Sequence, residues 1–227
     1  MIREFANPLA LAEALAADTA QAIRGRLRQA PEAAIALSGG ETPAKFMQAL
    51  SRQDLPWRNI LVTLVDDRWV DPGSPRSNAR LVREHLLHHA AAAARFVPLV
   101  NDASVPEEGR EAAERAIAAL PRPFAAVILG MGTDGHIASF FPGGDRLAQA
   151  LHPAGQLVET MRAAAAIEPR ITLTLPVILG AEMVALHIEG AEKRKVLEAA
   201  LQDGPPEILP VRAVLARKPA PDIFWCP

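Results

Sequence analysis

Short apolar runs recur along the chain, and each is separated from the next by a stretch of mixed polar and apolar residues. A continuous apolar run of this length is typical of a strand that is buried on both faces. The sequence therefore predicts buried strands at residues 33–37, 60–65, 96–100, 124–129 and 183–188. Apolar positions in the intervening stretches recur with helical periodicity, which predicts helices at residues 44–50, 78–88, 107–120 and 192–201.

The beginning of the chain predicts one more helix. Asn7 and Pro8 suit the N-cap and first position of a helix, and the Ala-rich segment after them predicts that it runs to about residue 29. Strands that alternate with helices indicate the α/β fold class, here a mostly parallel, Rossmann-like sheet with helices on both faces. In such sheets ligands bind beyond the carboxyl ends of the strands. The residues that follow each predicted strand are therefore the first candidates for a site.

The composition narrows the class of protein. The chain has 227 residues, of which 50% are hydrophobic, so we expect a single domain that spans residues 1–227. The formal net charge is −2 and no basic block occurs, so nucleic acid is not an expected partner. No apolar run approaches the roughly 20 residues of a membrane-spanning helix, and nothing indicates an obligate protein partner. A small molecule is the expected partner.

Cysteine usage and the first residues bear on the compartment. Cys226 is the only cysteine, so no internal disulfide can form. The opening MIREFANPLA has neither the apolar core nor the cleavage site of a signal peptide. We therefore expect a cytoplasmic location.

A glycine-rich turn follows the first predicted strand and reads SGGETP from Ser38 to Pro43. Thr42 and Pro43 suit the N-cap and first position of the next helix. Gly39 and Gly40 allow the backbone to approach a ligand, and a helix start offers free N–H groups, so the turn can hold a phosphate. It lacks the Gly-Lys-Ser/Thr ending of a Walker loop. An ordinary capped turn is the alternative.

Charged residues follow the second predicted strand. Asp66, Asp67 and Arg68 leave the strand, and Ser77 and Asn78 stand shortly after them. Polar groups at this end of a parallel strand are well placed for a site. A surface ion cluster is the alternative for the charged residues, and a simple helix cap is the alternative for Ser77 or Asn78.

A longer glycine-rich loop follows the strand at residues 124–129 and reads GMGTDGHIASFFPG from Gly130 to Gly143. Its beginning matches the dinucleotide fingerprint GxGxxG. We reject that match, because the fingerprint needs a long helix after the third glycine and Pro142 leaves room for barely two turns. The loop instead presents Asp134 and His136 at a strand end, where a histidine is well placed to meet substrate.

Two isolated cations and three further histidines complete the inventory. Arg170 opens the run RITLT, and Lys193 lies near the start of a predicted helix. The helix dipole disfavours lysine there, so its position suggests anion capture.

His85, His88 and His89 are spaced for one helix, but no acidic or cysteine partner recurs near them, so no metal site is expected. No serine lies in a GxSxG elbow, which disfavours a serine hydrolase.

Five segments, in one order along residues 37–193, together resemble the 6-phosphogluconolactonase family, which shares a superfamily with the glucosamine-6-phosphate isomerases/deaminases. The segments are LSGGETP at 37–43, DDRWV at 66–70 with Ser77-Asn78, the loop at 130–143, RITLT at 170–174 and GAEK at 190–193. The ending HIASFFPG of the loop is the most specific of them.

Two positions favour the lactonase branch of this superfamily. Deaminases carry Asp-Glu-Tyr where this chain has Asp66-Asp67-Arg68, and they carry Phe-Asn-Glu-Pro after their His-Ile-Ala. This chain continues with SFFPG from Ser139 and so lacks the ring-opening glutamate. It also departs from the usual lactonase pattern of Glu at position 67 and Thr at position 137. Asp67 shortens the carboxylate by one methylene, and Ile137 matches the deaminases.

The resemblance implies hydrolysis of 6-phospho-D-glucono-1,5-lactone to 6-phospho-D-gluconate in the oxidative pentose phosphate pathway, without a metal or other cofactor. It implies His136 as the base, Asp134 as its orienting partner, and Arg68 at either the oxyanion or the phosphate. The substrate-binding residues that it implies are Ser38, Gly39, Gly40, Thr42, Asp66, Arg170 and Lys193.

Three other functions stay open on the sequence alone. A glucosamine-6-phosphate deaminase would release ammonia. A non-catalytic sugar-phosphate-binding regulator would bind ligand without turnover. A nicotinamide-dependent oxidoreductase would bind NADP.

Overall fold

The computed structural model describes residues 2–40 and 42–227, so Glu41 of the first glycine-rich turn lies outside the described residues. The strands are β1 (Ile2–Glu4), β2 (Ala33–Leu37), β3 (Ile60–Leu64), β4 (Asp66–Arg68), β5 (Arg95–Phe96), β6 (Ala126–Leu129), β7 (Val158–Met161), β8 (Arg170–Leu173), β9 (Met183–Glu189) and β10 (Asp222–Cys226). The helices are α1 (Pro8–Leu27), α2 (Ala44–Ser51), α3 (Asn78–His85), α4 (Pro106–Ala118), α5 (Leu147–Leu151), α6 (Leu175–Leu179), α7 (Ala191–Ala200) and α8 (Val211–Leu215). None of these helices of the described residues has both the length and the apolar character needed to cross a membrane.

A seven-stranded sheet forms the centre of the fold. Its strand order is β1-β10-β9-β6-β2-β3-β5, and every neighbouring pair is parallel. Every residue of β2, β3 and β6 is buried, because helices flank the sheet and the continuous apolar runs leave no polar face for water. The prediction of an α/β fold with a mostly parallel sheet is confirmed.

A second, smaller sheet was not predicted. Strands β4, β8 and β7 form an antiparallel sheet in that order, with Arg68 paired to Arg170 and Asp66 paired to Thr172 across β4 and β8. Strand β4 reads Asp-Asp-Arg and so lacks any apolar signal. The small sheet matters for function because it brings Arg170 beside the acidic and basic residues that follow β3.

Two predicted elements end three or four residues earlier than expected. The strand predicted at 96–100 is paired only at Arg95–Phe96, because Pro98 has no N–H to continue a ladder. The helix predicted at 78–88 ends at His85, and His89 has φ 52°, which a right-handed helix excludes. The predicted N-cap of α1 is confirmed, since the Asn7 side chain accepts a hydrogen bond from the Ala10 amide.

Candidate active site

A cleft of about 270 Å³ lies beyond the carboxyl ends of β2, β6 and β9, where the parallel sheet is expected to bind ligands. The structure places almost every predicted site residue on its walls. The predicted residues that line it are Ser38, Gly39, Gly40, Thr42, Asp66, Arg68, His136, Arg170 and Lys193. Asp134 does not line the cleft, but it contacts His136. The five segments from distant parts of the sequence therefore meet at one place.

His136 is held in the cleft by Asp134. Oδ1 of Asp134 lies 2.5 Å from Nδ1 of the imidazole and also accepts a 3.1 Å hydrogen bond from the His136 amide. Partial burial raises the pKa of the Asp134 carboxyl, but the hydrogen bonds and charge of His136 outweigh it, so the pKa lies below its usual range. An ionised Asp134 keeps Nδ1 directed towards itself, and Nε2 is then the ring nitrogen left to exchange a proton.

Gly132 makes room for this pair. A Cβ atom on Gly132 would lie 2.2 Å from Nδ1 of His136 and 2.6 Å from Oδ1 of Asp134. The Gly132 amide also donates a 2.9 Å hydrogen bond to the His136 carbonyl, which closes the turn that carries both side chains. Gly132 therefore allows the His136 ring to approach the backbone closely. It is not part of a dinucleotide-binding turn, because the long helix of such a turn is missing. After Gly135 the chain forms no helix until the five residues of α5.

Phe141 connects the histidine to a buried cation. Its ring centroid lies 4.5 Å from that of His136 at an interplanar angle of 33°, and the Arg170 guanidinium carbon lies 5.3 Å from the same centroid. Arg170 is 8% exposed, and burial lowers the pKa of its guanidinium, against the opposing effect of Asp66. An arginine pKa lies so far above neutrality that the side chain stays charged.

Asp66 lies between Arg170 and the 130–143 loop. Its Oδ2 lies 3.6 Å from Nη1 of Arg170 and accepts a 2.6 Å hydrogen bond from the Ser139 hydroxyl. Both Asp66 and Ser139 are buried. Ser139 is therefore engaged with a carboxylate rather than arranged as a nucleophile, in agreement with the sequence argument against a serine hydrolase.

Two helix starts contribute to the cleft, and one detail of the prediction is wrong. Pro43, not Thr42, takes the N-cap position of α2, and Ala44 rather than Pro43 is the first helical residue. No side chain of the described residues caps α2 or α7. The first N–H groups of α2 lie near Gly39 and Gly40 without a side-chain acceptor among the described residues, and Lys193 lies in the first turn of α7. Free amides, positive dipole ends and a lysine are suited to an anion.

Arg68 is oriented by Asn78, which the sequence placed near the site but without a role of its own, and for which a helix cap was the alternative. Nη1 of Arg68 donates hydrogen bonds to Oδ1 of Asn78 at 3.0 Å and to the Arg76 carbonyl at 2.9 Å. Nδ2 of Asn78 donates to the Asp66 carbonyl at 2.9 Å. The cap itself is Ser77, whose hydroxyl accepts from the Arg80 amide. Asn78 thus lines the cleft and has to be added to the site.

His187 is a second cleft residue that the sequence did not reveal. It lies inside the apolar run of β9, is 2% exposed, and its Nε2 is 3.1 Å from Oε1 of Glu189. The hydrogen bond from His187 lowers the pKa of Glu189. The spacing of polar residues at alternate strand positions, which places both side chains on one face, is the signal that could have identified the pair.

The other histidines do not approach the cleft. His85 ends α3, whereas His88 and His89 lie beyond the helix. Within residues 2–40 and 42–227 no group of three or more His, Cys, Asp or Glu side chains is arranged to hold a metal ion.

The family model described as glucosamine-6-phosphate isomerases/6-phosphogluconolactonase matches residues 6–225, nearly the whole chain. The chain belongs to this family. Within the family, it is 48% identical over 219 residues to a 6-phosphogluconolactonase from Mesorhizobium japonicum, an alignment that covers 96% of this chain and 91% of that relative. It is 47% identical to one from Rhizobium meliloti, with 98% and 97% of the two chains covered.

Solved structures of the family have the same fold. A crystal structure of a 6-phosphogluconolactonase from Shewanella baltica matches with a TM-score of 0.97 and 38% identity, covering 100% of this chain and 97% of that one. A monomeric glucosamine-6-phosphate deaminase matches with a TM-score of 0.77 at 20% identity, covering 99% and 95% of the two chains, and this likeness concerns the fold alone. Both branches of the family therefore share this architecture, and the residues of the cleft have to distinguish them.

Proposed function

We propose that this chain is a 6-phosphogluconolactonase, which hydrolyses 6-phospho-D-glucono-1,5-lactone to 6-phospho-D-gluconate as one lactonase domain. One observation carries the proposal: His136, with Nδ1 held by Asp134, shares a cleft with Lys193, Arg170 and the start of α2, where no side chain of the described residues forms a cap. Hydrolysis of a phosphorylated ester requires an imidazole that accepts a proton. It also requires fixed positive groups that bind the phosphate. The names of the relatives and the SFFPG segment from Ser139 support the lactonase branch.

The proposed reaction adds one water molecule to the ester. Nε2 of His136 takes a proton from water while the water oxygen forms a bond to C1 of the lactone. The tetrahedral intermediate collapses, the bond between C1 and the ring oxygen breaks, and the proton on Nε2 passes to that oxygen. A positioned general base of this kind contributes about 10²- to 10⁴-fold to the rate.

The oxyanion that forms on C1 needs a hydrogen-bond donor in a fixed position. We assign this task to Arg68, because Asn78 and the Arg76 carbonyl hold its Nη1 and leave Nη2 without a hydrogen bond to the described residues. A role of Arg68 at the phosphate is the alternative. The kinetic split between kcat and KM in Arg68→Lys distinguishes the two, since loss at the oxyanion lowers kcat and loss at the phosphate raises KM.

The phosphate is assigned to the amides at Gly39 and Gly40, to Thr42, and to the cations Arg170 and Lys193. A hydrogen bond between charged groups contributes about 1.5–3 kcal/mol, so these groups supply most of the substrate affinity. Ser38 and Asp66 complete the binding surface, and Asp66 also holds Arg170 through their ion pair. We further propose that the protein works in the reducing cytoplasm, where its buried Cys226 stays a free thiol.

An assay of lactone hydrolysis tests the proposal. The purified chain is mixed with freshly prepared 6-phospho-D-glucono-1,5-lactone, acid release is followed, and the spontaneous rate is subtracted. We expect saturable acceleration, and no ammonia from glucosamine 6-phosphate under the same conditions. Ammonia release would favour the deaminase branch, binding without acceleration would favour a regulator, and NADP binding would favour an oxidoreductase; each of these results contradicts the proposal.

A further inference from the structure

Asp67 is fully buried and does not line the cleft, although its neighbours Asp66 and Arg68 both do. Its Oδ1 accepts hydrogen bonds from the amides of Arg68 at 2.8 Å and Asn78 at 2.7 Å, and its Oδ2 accepts from the Ala79 amide at 3.1 Å. One carboxylate therefore fastens the end of β4 to the start of α3. The substrate has no access to it.

The main-chain bonds of Asp67 fix a side chain that does reach the cleft. Asn78, whose amide is bound by Asp67, accepts from Nη1 of Arg68 through its side-chain oxygen and donates to the Asp66 carbonyl through its side-chain nitrogen. The same carboxamide occupies the space beside Gly39, where a Cβ atom would lie 1.8 Å from Oδ1 of Asn78. Asn78 thus touches three segments of the cleft, and Asp67 holds it from behind.

A buried carboxylate is a costly way to connect two elements. Desolvation raises the pKa of Asp67 to about 6, in spite of the amides that bind its ionised form. Three amides that converge on one acceptor hold the chain on both sides of the 69–77 segment in one arrangement. A hydroxyl or an amide side chain at this position offers fewer acceptor lone pairs for them.

We propose that Asp67 is a positioning residue of the reaction, which acts through Asn78 to hold the Arg68 guanidinium where the oxyanion forms. The proposal rests on the proposed function for its kinetic consequence, while the physical link from Asp67 to Arg68 is independent of it. In this role Asp67 touches neither the substrate nor the reacting atoms. The part of its contribution that we propose here, which passes through Asn78 to the guanidinium, depends on the presence of the Arg68 side chain.

A double-mutant cycle tests this dependence. Asp67→Asn keeps the shape of the side chain but replaces one acceptor oxygen by a donor. We expect kcat/KM to fall about tenfold to hundredfold, because a misplacement of about 1 Å in the active site lowers the rate by about this factor. In the Arg68→Ala background the same substitution is expected to change kcat/KM by less than about twofold, because no guanidinium is left to position. Full activity of Asp67→Asn, or equal losses in both backgrounds, overturns the proposal.

Glu159→Gln is the matched control. Glu159 is another buried acid that accepts a hydrogen bond from the amide of the next residue, at 2.9 Å from Thr160, but it lines a different cavity. Loss of this charge is expected to leave kcat/KM unchanged. If Asp67→Asn does not fold, Asp67→Glu keeps all acceptors with one extra methylene, and its kcat is expected to fall while KM stays near that of the parent; an unchanged kcat contradicts the proposal.

A crystal structure of Asp67→Asn, or of Asp67→Glu if Asp67→Asn does not fold, tests the positioning role of Asp67 separately from the proposed lactonase function. We expect Nη1 of Arg68 to leave Oδ1 of Asn78, whatever reaction the protein catalyses. If the parent chain hydrolyses no lactone but the guanidinium moves, the lactonase proposal fails and the link stands. If Arg68 keeps its 3.0 Å bond in the variant, the positioning role is wrong.

Discussion

The Ser139 hydroxyl donates a 2.6 Å hydrogen bond to Oδ2 of Asp66, from 73 residues further along the chain. The bond fastens the loop that carries His136 to the small antiparallel sheet that carries Arg170. Both partners are buried, so water cannot replace either of them. The relative position of base and cation therefore depends on this contact between the 130–143 loop and the small sheet.

Ser139→Ala is expected to lower the free energy of unfolding by about 1.5–3 kcal/mol, because a buried carboxylate loses a donor. Ser51→Ala is the matched control: Ser51 is also buried, but its hydroxyl donates to the neutral Gln48 carbonyl at 2.8 Å, and a loss of about 0.5–1.5 kcal/mol is expected. Urea denaturation of both variants checks the difference. Equal losses would mean that the Asp66 charge adds nothing to the Ser139 bond.

Strands β1 and β10, on one side of the main sheet, were not predicted; β1 reads Ile-Arg-Glu and has no buried residue. Strands β2, β3, β6 and β9 could be predicted from the sequence because they are buried on both faces and are therefore almost continuously apolar. The small sheet could not, because β4 consists of Asp66, Asp67 and Arg68 and its burial comes from hydrogen bonds and ion pairs with distant residues. A short strand of charged residues has no periodicity to detect.

The same distinction applies to the site. Asp134 and His136 could be identified because they follow an apolar strand in a glycine-rich loop. Asn78 received no role in the site from the sequence, since nothing in the local sequence indicates that its side chain crosses to Arg68. His187 was hidden inside an apolar run, where a single polar residue looks like part of a strand. The contact between Asn78 and Arg68 follows from the tertiary arrangement and leaves no local pattern, whereas the alternation of His187 and Glu189 is a weak local signal.

Substitution of the base tests the central step of the mechanism. His136→Ala is expected to abolish turnover, with kcat lowered by about 10²- to 10⁴-fold, while substrate still binds. Asp134→Asn is expected to lower kcat by a smaller factor, because the imidazole remains but loses the carboxylate that holds Nδ1. Steady-state kinetics with subtraction of spontaneous hydrolysis measures both. His152→Ala, a change at an exposed histidine outside the cleft, is the control; parental kcat in His136→Ala would contradict the assignment.

Two lysines of α7 offer a matched pair for the phosphate. Lys193 lines the cleft, whereas Lys195, two positions further on, is exposed and points elsewhere on the helix. Lys193→Ala is expected to raise KM about ten- to hundredfold with little change in kcat, and Lys195→Ala to change neither. Competition by inorganic phosphate should weaken in the Lys193 variant alone. A hydrolysis rate on unphosphorylated glucono-1,5-lactone that falls as much as the rate on the natural ester would argue against phosphate recognition by Lys193.

Asp67 predicts how stability depends on pH. Its pKa of about 6 in the folded chain exceeds the ordinary value of 3.8, so between these two values the folded state holds a proton that the unfolded state has released. The contribution of Asp67 to the free energy of unfolding is therefore fully present below about pH 4, falls by about 3 kcal/mol as pH rises to about 6, and stays low above it. The charged groups around Asp67 are Asp66, Arg68 and Arg170. They are unchanged in the Asp67→Asn variant.

Urea denaturation of the parent and of Asp67→Asn at pH 4, 5, 6 and 7 isolates this contribution, because the other titrating groups are common to both chains. The stability of the parent relative to the variant is expected to fall by about 2 kcal/mol over this range, because the carboxyl of the unfolded chain is already partly ionised at pH 4. Glu159→Gln supplies the comparison for removal of a buried acid outside the cleft. A difference between parent and Asp67→Asn that stays constant from pH 4 to 7, or that grows with pH, would show that the folded chain does not raise the pKa of Asp67.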